Sequence, residues 1–396
     1  MLNGKSVLVG ITGGIAAYKI ANLCSMLVKL HADTDVMMTK NACEFITPLT
    51  FETLTNSKCM VDTFDRTFEF DVKHISEAKK ADLLIIAPAT ANVIAKLAYG
   101  LADDMLTTTA LACRCPKIIA PAMNTNMYTN PIVQDNLRKL ESYGWTVIPA
   151  DSGRLACGDS GQGKMPSEET IMSYILREIA CEKDLCGKKV LVTAGATREA
   201  LDPVRFITNH STGKMGYAVA YRAMLRGADV TLVSGQTSIK APPFVKLIGV
   251  TSALEMYNAV MDNCNDSDII VMSAAVADYR PCETAENKIK KSDNDMSIKL
   301  ERTDDILASV CAKRRENQFI CGFSMETENL VENSKSKLVK KGCDMIAANN
   351  LKTKGAGFGT DTNVMTLITH DAETNLPLMS KEQVADCILD QAVKKS

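Results

Sequence analysis

Leu185–Ala220, LCGKKVLVTAGATREALDPVRFITNHSTGKMGYAVA, is where the chain begins a second time, and its reading decides the fold. The apolar run Val190–Thr193 leads into a glycine turn at Gly195. A polar loop containing Pro203 follows, and Gly213-Lys214-Met215-Gly216 then opens an amphipathic helical pattern. A buried strand, a glycine turn and a helix N-terminus together make a site for a phosphorylated ligand, because the first N–H groups of the helix have no partner within it. The amino-terminal LNGKSVLVGITGG at Leu2–Gly14 echoes LCGKKVLVTAG at Leu185–Gly195. The echo reads either as two nucleotide-scale sites of one type or as two ordinary first strands of α/β units.

A chain of 396 residues has room for two or three domains with their own cores, and the restart divides it into 1–187 and 188–396. A net charge of -2 gives no reason to expect nucleic acid or a membrane surface as a partner. No apolar stretch approaches the ~20 residues of a membrane span, and Met1–Gly14 lacks the pattern of a signal peptide, so the expected location is cytoplasmic. The 14 cysteines include no CxxC and read mostly as reduced, buried small hydrophobes. With only His31, His74, His210 and His370 to join the close pair Cys113 and Cys115, no structural metal site is expected.

In the first half, apolar runs at Val7–Val9, Asp35–Met38, Leu83–Ala87, Lys117–Ala120 and Thr146–Ile148 alternate with helical patterns. This predicts a parallel sheet with helices on both faces, whose ligand lies beyond the carboxyl ends of the strands. The residues placed there are Gly13-Gly14, Thr39, Pro88 to Asn92 with Thr90 between them, and Pro121 to Asn124. Small and hydroxyl-bearing side chains would let a backbone approach a phosphate and a flat ring. GITGG is not GxGxxG, so a mononucleotide fits better than a dinucleotide. His74 begins a helix and reads as a cap or surface residue unless its strand-end position matters, and Asn124 reads likewise as a turn residue. Leu155–Pro166, LACGDSGQGKMP, is a glycine-rich loop. Its GxxxxGK lacks the following Ser or Thr of a P-loop, and it is either a lid carrying the Cys157 thiol or a connector with an incidental cysteine.

In the second half, runs at Val230–Val233, Val245–Ile248, Asp268–Met272, Gln318–Phe323, Asp344–Ala347 and Val364–Ile368 predict a second α/β sheet. Its strand-end residues include Asn209, Ser211, Ser273-Ala274-Ala275, Asp278 and Phe323. Lys288, Lys290 and Lys291 are concentrated in ENKIKKS, which is either a solvated connection or a cationic cover for a polyphosphate. Lys337 and Lys341 share a helix face. Gly355–Gly359, GAGFG, precedes a strand and reads as a flexible loop.

An ordered set of motifs now resembles one family, the bifunctional bacterial phosphopantothenoylcysteine decarboxylases and phosphopantothenate-cysteine ligases of coenzyme A biosynthesis. The set is GGIAAYK from Gly13, APATANVIAKLAYGLADD, PAMNTNMYTNP, LACGDSGQGKM, VTAGATREALDPVRFITNHSTGKMG, AAVADYRP, KIKK, GFSMET and KLVKKGCDMIAAN. The resemblance implies an FMN-binding, flavodoxin-like decarboxylase domain followed by a Rossmann-like ligase domain. It places catalytic roles on His74, Asn124 and Cys157 in the first half, where flavin gives the electrons of the lost carboxylate somewhere to go. In the second half it implies CTP and magnesium, with 4'-phosphopantothenate and cysteine as substrates. Asp278, Asp304-Asp305-Ile306, Phe323, Lys337 and Lys341 would surround the nucleotide, Lys288 would assist activation, and Asn209 would act on the acyl-cytidylate. Trimers through the flavin half and dimers through the ligase half would combine into a dodecamer.

Four positions depart from the family pattern. Tyr128 stands for a usual Trp, Lys164 for Arg, Asp304 for Pro and Thr212 for Ser. Three rival readings are weaker. A decarboxylase of peptide C-terminal cysteine leaves the second half unexplained, an FMN-binding regulatory protein needs neither Cys157 nor Asn124, and a nicotinamide oxidoreductase lacks its fingerprint.

Overall fold

The computed structural model describes residues 1–64, 72–154, 158, 160–290, 296–326, 329–350 and 359–395. The chain forms two compact units, Met1–Cys181 and Glu182–Ser396.

The first unit runs β1 (Ser6–Ile11), a 3-10 turn (Ile15–Lys19), α1 (Ile20–Lys29), β2 (Asp33–Met38), α2 (Lys40–Cys43), α3 (Pro48–Thr55) and α4 (Lys73–Lys80). It continues with β3 (Leu83–Ala89), α5 (Ala91–Tyr99), α6 (Met105–Ala112), β4 (Lys117–Pro121), α7 (Thr125–Tyr128), α8 (Pro131–Ser142), β5 (Trp145–Val147), β6 (Asp151–Arg154), β7 (Ser160–Lys164) and α9 (Glu168–Ile179). The sheet order is β2-β1-β3-β4-β5, with every pairing parallel. All of β1 and β3 is buried, which is why both read as unbroken apolar runs. Leu8, Leu84, Ile86 and Ile119 point to the face covered by α5, α6 and α8, where Leu106 and Leu140 fill the core. α1, α3 and α9 pack together as the other layer.

The chain leaves β1 in one direction for β2 and returns on the other side for β3, so the sheet's topological switch point lies between the carboxyl ends of β1 and β3. Thr12, fully buried, bridges that point. Its hydroxyl donates to the Pro88 carbonyl at 2.7 Å and accepts from the Thr90 N–H at 3.0 Å.

The second unit runs β8 (Lys189–Ala194), β9 (Arg198–Ala200), β10 (Phe206–Thr208), α10 (Lys214–Leu225), β11 (Asp229–Ser234), β12 (Lys246–Gly249), α11 (Ala253–Cys264), β13 (Ile269–Met272), β14 (Tyr279–Pro281) and β15 (Leu300–Arg302). After these come α12 (Ile306–Ala312), β16 (Phe319–Glu326), α13 (Leu330–Lys341), β17 (Met345–Asn350), β18 (Thr362–Asn363), β19 (Met365–Thr369), β20 (Glu373–Asn375), β21 (Met379–Ser380) and α14 (Lys381–Lys395). Its sheet order is β12-β11-β8-β13-β16-β17-β19-β20, parallel as far as β17 and antiparallel beyond. The first six strands have the doubly wound order, and the switch point lies between β8 and β13. There the Thr193 hydroxyl accepts from Ala274 N–H at 3.1 Å, and the Ser273 hydroxyl donates to the Thr193 carbonyl at 2.7 Å. Gly216 of α10 lies on this seam, since a Cβ there would stand 2.6 Å from the Ser273 oxygen and 2.7 Å from the Thr193 carbonyl. Arg226, the C-cap of α10, ties down the C-terminal helix through Asp390, and it also holds Asp184.

The alternation of strand and helix thus follows the sequence reading, with two differences. Part of the glycine-rich stretch Leu155–Pro166 is not loop, because β7 pairs antiparallel with β6 in a hairpin. The connecting residues 155–157 and 159 lie outside the described residues, as do Lys291 and most of GAGFG. The other short pairs, β9–β10, β14–β15 and β18–β21, carry no apolar alternation that would announce them. Among the described residues, no helix is long and apolar enough to cross a membrane, and the cysteines are free thiols.

Candidate functional site

Each unit carries a cleft at the carboxyl ends of its parallel strands. In the first unit a cavity of about 710 Å³ is lined by Gly13, Gly14, the 3-10 turn at Ile15–Lys19, Thr90, Ala122 to Asn124, Met127, Arg154 and Gly163 to Met165. The floor is backbone and small side chains. A Cβ on Gly13 would lie 2.5 Å from the Asn41 Cβ, so this bend admits nothing larger than glycine. Met123, Met127 and Ile15 supply apolar walls, and Lys19, Arg154 and Lys164 supply positive charge at the rim. A flat ring system with a phosphate tail suits this combination.

The Asn124 side chain accepts from Asn126 N–H at 2.9 Å and so caps α7. Donation to a ligand carboxylate could come only from its amide nitrogen, since an amide oxygen has no proton to give. The β6–β7 hairpin lies against this turn. Met123 N–H donates to the Gly163 carbonyl at 2.9 Å, and a Cβ on Gly163 would stand 2.4 Å from the Met123 carbonyl oxygen. Gly163 also has φ +132, a conformation that side-chain-bearing residues avoid. Gly163→Ala is therefore expected to lift the hairpin off the Asn124 turn at a cost of ~2 kcal/mol. Thermal unfolding should read this as a Tm roughly 4–8 °C lower; an unchanged Tm would show that the hairpin does not depend on this contact.

Of the residues named from sequence in this half, Gly13, Gly14, Thr90 and Asn124 line the cavity, whereas Thr39, Pro88, Asn92 and His74 do not. Thr39 caps α2 through Ala42 N–H at 3.3 Å, the Pro88 carbonyl serves Thr12, and Asn92 is exposed in the first turn of α5. His74 sits in the first turn of α4. At the far end of that helix, Lys80 pairs with Asp33 and Asp35 at the start of β2, so the helix runs against the strands and brings His74 toward their carboxyl ends. Cys157 lies outside the described residues. Tyr18 and Arg154 were missed. Tyr18 stands inside the GGIAAYK motif, but Arg154 ends an exposed strand that carries no sequence signal.

The cleft of the second unit, about 500 Å³, is lined by Ala274, Asp278, Asp304, Asp305, Ile306, Phe323, Lys337 and Lys341 among the residues named from sequence. Asp305 caps α12 with one oxygen, accepting from Ala308 N–H at 3.0 Å, and pairs with Lys341 through the other. Lys337 donates to the Phe323 carbonyl at 2.8 Å. A polyphosphate entering the cleft would meet two lysines four residues apart on α13 and would compete with these contacts for them. Arg302, Thr303 and Tyr279 also line it and were missed; they belong to the exposed β14–β15 ribbon and its exit. Ser273 and Ala275 do not line the cleft. Ser273 serves the β8–β13 seam, and the Ala275 N–H donates to the Gly195 carbonyl at 2.9 Å.

Asn209 and Lys288 stand outside the cleft lining. The Asn209 amide nitrogen donates to the carbonyls of Ala275 and Val276 at 3.3 and 3.2 Å, which fixes it beside the end of β13. Lys288 is exposed on a loop hydrogen-bonded to the turn between β9 and β10. Among the described residues, no three His, Cys, Asp or Glu side chains converge as metal ligands.

Residues 1–180 match the Flavoprotein family model, and residues 185–395 match the DNA/pantothenate metabolism flavoprotein C-terminal domain. The chain is also 46% identical over 395 residues to the Coenzyme A biosynthesis bifunctional protein CoaBC of Bacillus subtilis, a match covering 99% of this chain and 97% of that protein. The chain belongs to the CoaBC family. The CoaBC of Escherichia coli K12 is 41% identical over 397 residues, covering 100% of this chain and 98% of that protein. A crystal structure of the C-terminal domain of a CoaBC is 40% identical and covers 54% of this chain and 97% of that chain, with a TM-score of 0.46. Both clefts therefore belong to CoaBC-family domains, one to each family match.

Proposed function

We propose that this CoaBC-family chain carries out two consecutive steps of coenzyme A biosynthesis. The second unit joins cysteine to 4'-phosphopantothenate at the expense of CTP, and the first decarboxylates the resulting 4'-phosphopantothenoylcysteine to 4'-phosphopantetheine with FMN. The division of labour follows 1–187 and 188–396. The observation that carries the reading is that similarity to CoaBC proteins runs through both units, each of which has a cleft at its sheet's carboxyl edge.

A free carboxylate is a poor acyl donor. In the ligase unit the 4'-phosphopantothenate carboxylate attacks the α-phosphorus of CTP, the bond to the bridging oxygen breaks, and pyrophosphate leaves. Lys337 and Lys341 neutralise the phosphates, while Phe323 and Ala274 give the base an apolar wall. Lys288 stabilises the charge that develops on the leaving group. Magnesium would enter with the triphosphate and offset its charge near Asp278, Asp304 and Asp305. The cysteine amine then attacks the acyl carbon and CMP departs. Asn209, its nitrogen held by two carbonyls, presents its oxygen to the incoming amine.

The first unit's cavity fits FMN: a glycine bend packed too closely on Asn41 to carry a side chain at Gly13, apolar walls for a ring, and cations at the rim. Bound there, FMN supplies a temporary acceptor for electrons, without which loss of CO2 would leave an unstabilised carbanion. The residues of the chain do the rest. Asn124 donates to the carboxylate until it leaves, His74 orients the substrate or assists proton removal, and Cys157 returns a proton to the product.

We further place the protein in the cytoplasm as a homo-oligomer, a dodecamer of trimeric first units and dimeric second units. The exposed Tyr99, Leu101, Leu111 and Tyr143 of the first unit and Leu247 and Leu254 of the second support association. The deciding assay supplies pure, flavin-loaded protein with 4'-phosphopantothenate, cysteine and CTP. CO2, pyrophosphate and 4'-phosphopantetheine are expected together. Protein that is colourless after gentle purification and leaves CTP intact in the presence of both acid and amine would end this interpretation.

A further inference from the structure

The loop that carries Lys288 is fastened at both backbone groups of its next residue. Ile289 N–H donates to Oδ2 of Asp202 at 3.1 Å, and the Ile289 carbonyl accepts from Nη2 of Arg205 at 2.7 Å. A little upstream, Ala285 N–H donates to the Leu201 carbonyl at 3.0 Å and the Thr284 hydroxyl to the Ala200 carbonyl at 3.2 Å, so the loop follows the edge of the β9–β10 hairpin.

Asp202 is the hub of this arrangement. It is only 2% exposed, and its two oxygens have separate tasks. Oδ1 accepts from the N–H groups of Val204 and Arg205, both at 2.8 Å, and so shapes the turn between β9 and β10. Oδ2 reaches across to Ile289 and also faces Nε of Arg205 at 3.7 Å, the residue whose Nη2 holds the Ile289 carbonyl. Burial on its own would push this carboxyl's pKa up, but the N–H groups of Val204, Ile289 and Arg205 outweigh that and hold it below the ordinary value. At neutral pH it is charged and can only accept. The turn it shapes leads directly through β10 to Asn209, which is fixed on the Ala275 and Val276 carbonyls. One carboxylate thus joins the loop of Lys288 to the hairpin of Asn209.

We propose that Asp202 is a positioning residue for the ligase step, fixing through Ile289 where the Lys288 ammonium stands relative to Asn209 and the nucleotide phosphates. The proposal rests on the ligase reading given above. The N–H groups of the turn are satisfied by Oδ1 alone; Oδ2 serves Ile289 and Arg205, the two residues through which the loop of Lys288 is tied to the turn.

That distinction supplies the test. Asp202→Asn keeps an oxygen for the turn and turns an NH2 group toward the Ile289 N–H, donor against donor. Asp202→Ser caps the turn but is too short to reach Ile289. Either variant is expected to lower the rate of CTP-dependent pyrophosphate release roughly 10–100-fold, the scale of a small misplacement of a reacting group. The KM for CTP should stay within about two-fold, because Lys337, Lys341 and Asp305 are untouched. In a Lys288→Gln background, followed with radiolabelled CTP in single turnovers, the same substitution should change the rate less than about two-fold, since no charge remains to be misplaced. Wild-type rates in both single variants would overturn the proposal. So would an equal loss in the Lys288→Gln background, which would mark Asp202 as a general structural residue. If the unsubstituted enzyme releases no pyrophosphate, the ligase reading fails first and separately.

Discussion

Lys288→Gln is expected to reduce CTP-dependent pyrophosphate release ~10²–10³-fold, the scale on which a charge-stabilising group contributes when charge develops on a leaving oxygen. Glutamine keeps a hydrogen-bond donor and much of the reach, so the substitution removes the charge and little else. Lys288 is exposed, and the loop's backbone ties run through Ile289 and Ala285, so folding should be unaffected. Decarboxylation of 4'-phosphopantothenoylcysteine supplied directly should match the unsubstituted enzyme, because it belongs to the first unit. Two assays on one sample thus separate a lost ligase charge from a damaged protein. If ligation proceeds equally well in the variant, the stabilising cation has been assigned to the wrong residue, and Lys290 of the same loop becomes the next to test.

The sheets were legible because parallel strands covered on both faces must be apolar throughout. Val7–Val9, Leu83–Ala87 and Val190–Thr193 stand out as runs and sit at the centres of the two sheets. The hairpin β6–β7 was not legible: Asp151, Ser152 and Arg154 are exposed, and its strand pairing leaves no period in the sequence. What specifies it is glycine, with Gly161 and Gly163 allowing an approach to Thr125 and Met123 that any side chain would block. The same distinction divides the sites. Part of the lining of the second cleft came from residues that lie close together in sequence, such as Asp304 to Ile306. The polar braces did not, because each depends on a partner far along the chain. Thr12 reaches Pro88 across 76 residues, and Asp202 reaches Ile289 across 87. From sequence alone, either reads as an ordinary turn residue. Tyr128, which departs from the family's usual Trp, is 7% exposed in the core of the first unit, and its hydroxyl accepts from Ala150 N–H at 3.4 Å. The smaller ring therefore keeps a packing role and adds a contact that indole, a donor only, could not accept.

Cys157→Ser is expected to leave the protein yellow and to block formation of 4'-phosphopantetheine by a factor of ~10²–10⁴, the range associated with losing a positioned proton donor. Serine is nearly isosteric with cysteine, and none of Gly13, Gly14, Thr90 or the 3-10 turn at Ile15–Lys19 is altered, so the flavin should remain bound. The difference lies in the proton. A thiol titrates near pH 8–9 and can give up its proton to a carbon-centred acceptor, whereas an aliphatic hydroxyl holds its own far too tightly. Because the carboxylate departs before that proton is needed, one equivalent of CO2 per site should still appear in a single turnover, followed by arrest. β6 ends at Arg154 and β7 begins at Ser160, and Arg154 and Lys164, at opposite ends of the hairpin, both line the flavin cleft; Cys157 falls between the two strands in sequence. The role proposed for the Cys157 thiol requires the strands on either side of it in sequence to stay seated on the Asn124 turn, as the Met123–Gly163 contact seats them. Gly163→Ala, which unseats them, should therefore slow the same proton-return step while sparing ligation. Unchanged product formation in Cys157→Ser would remove the thiol from the mechanism and leave the hairpin with a purely structural part.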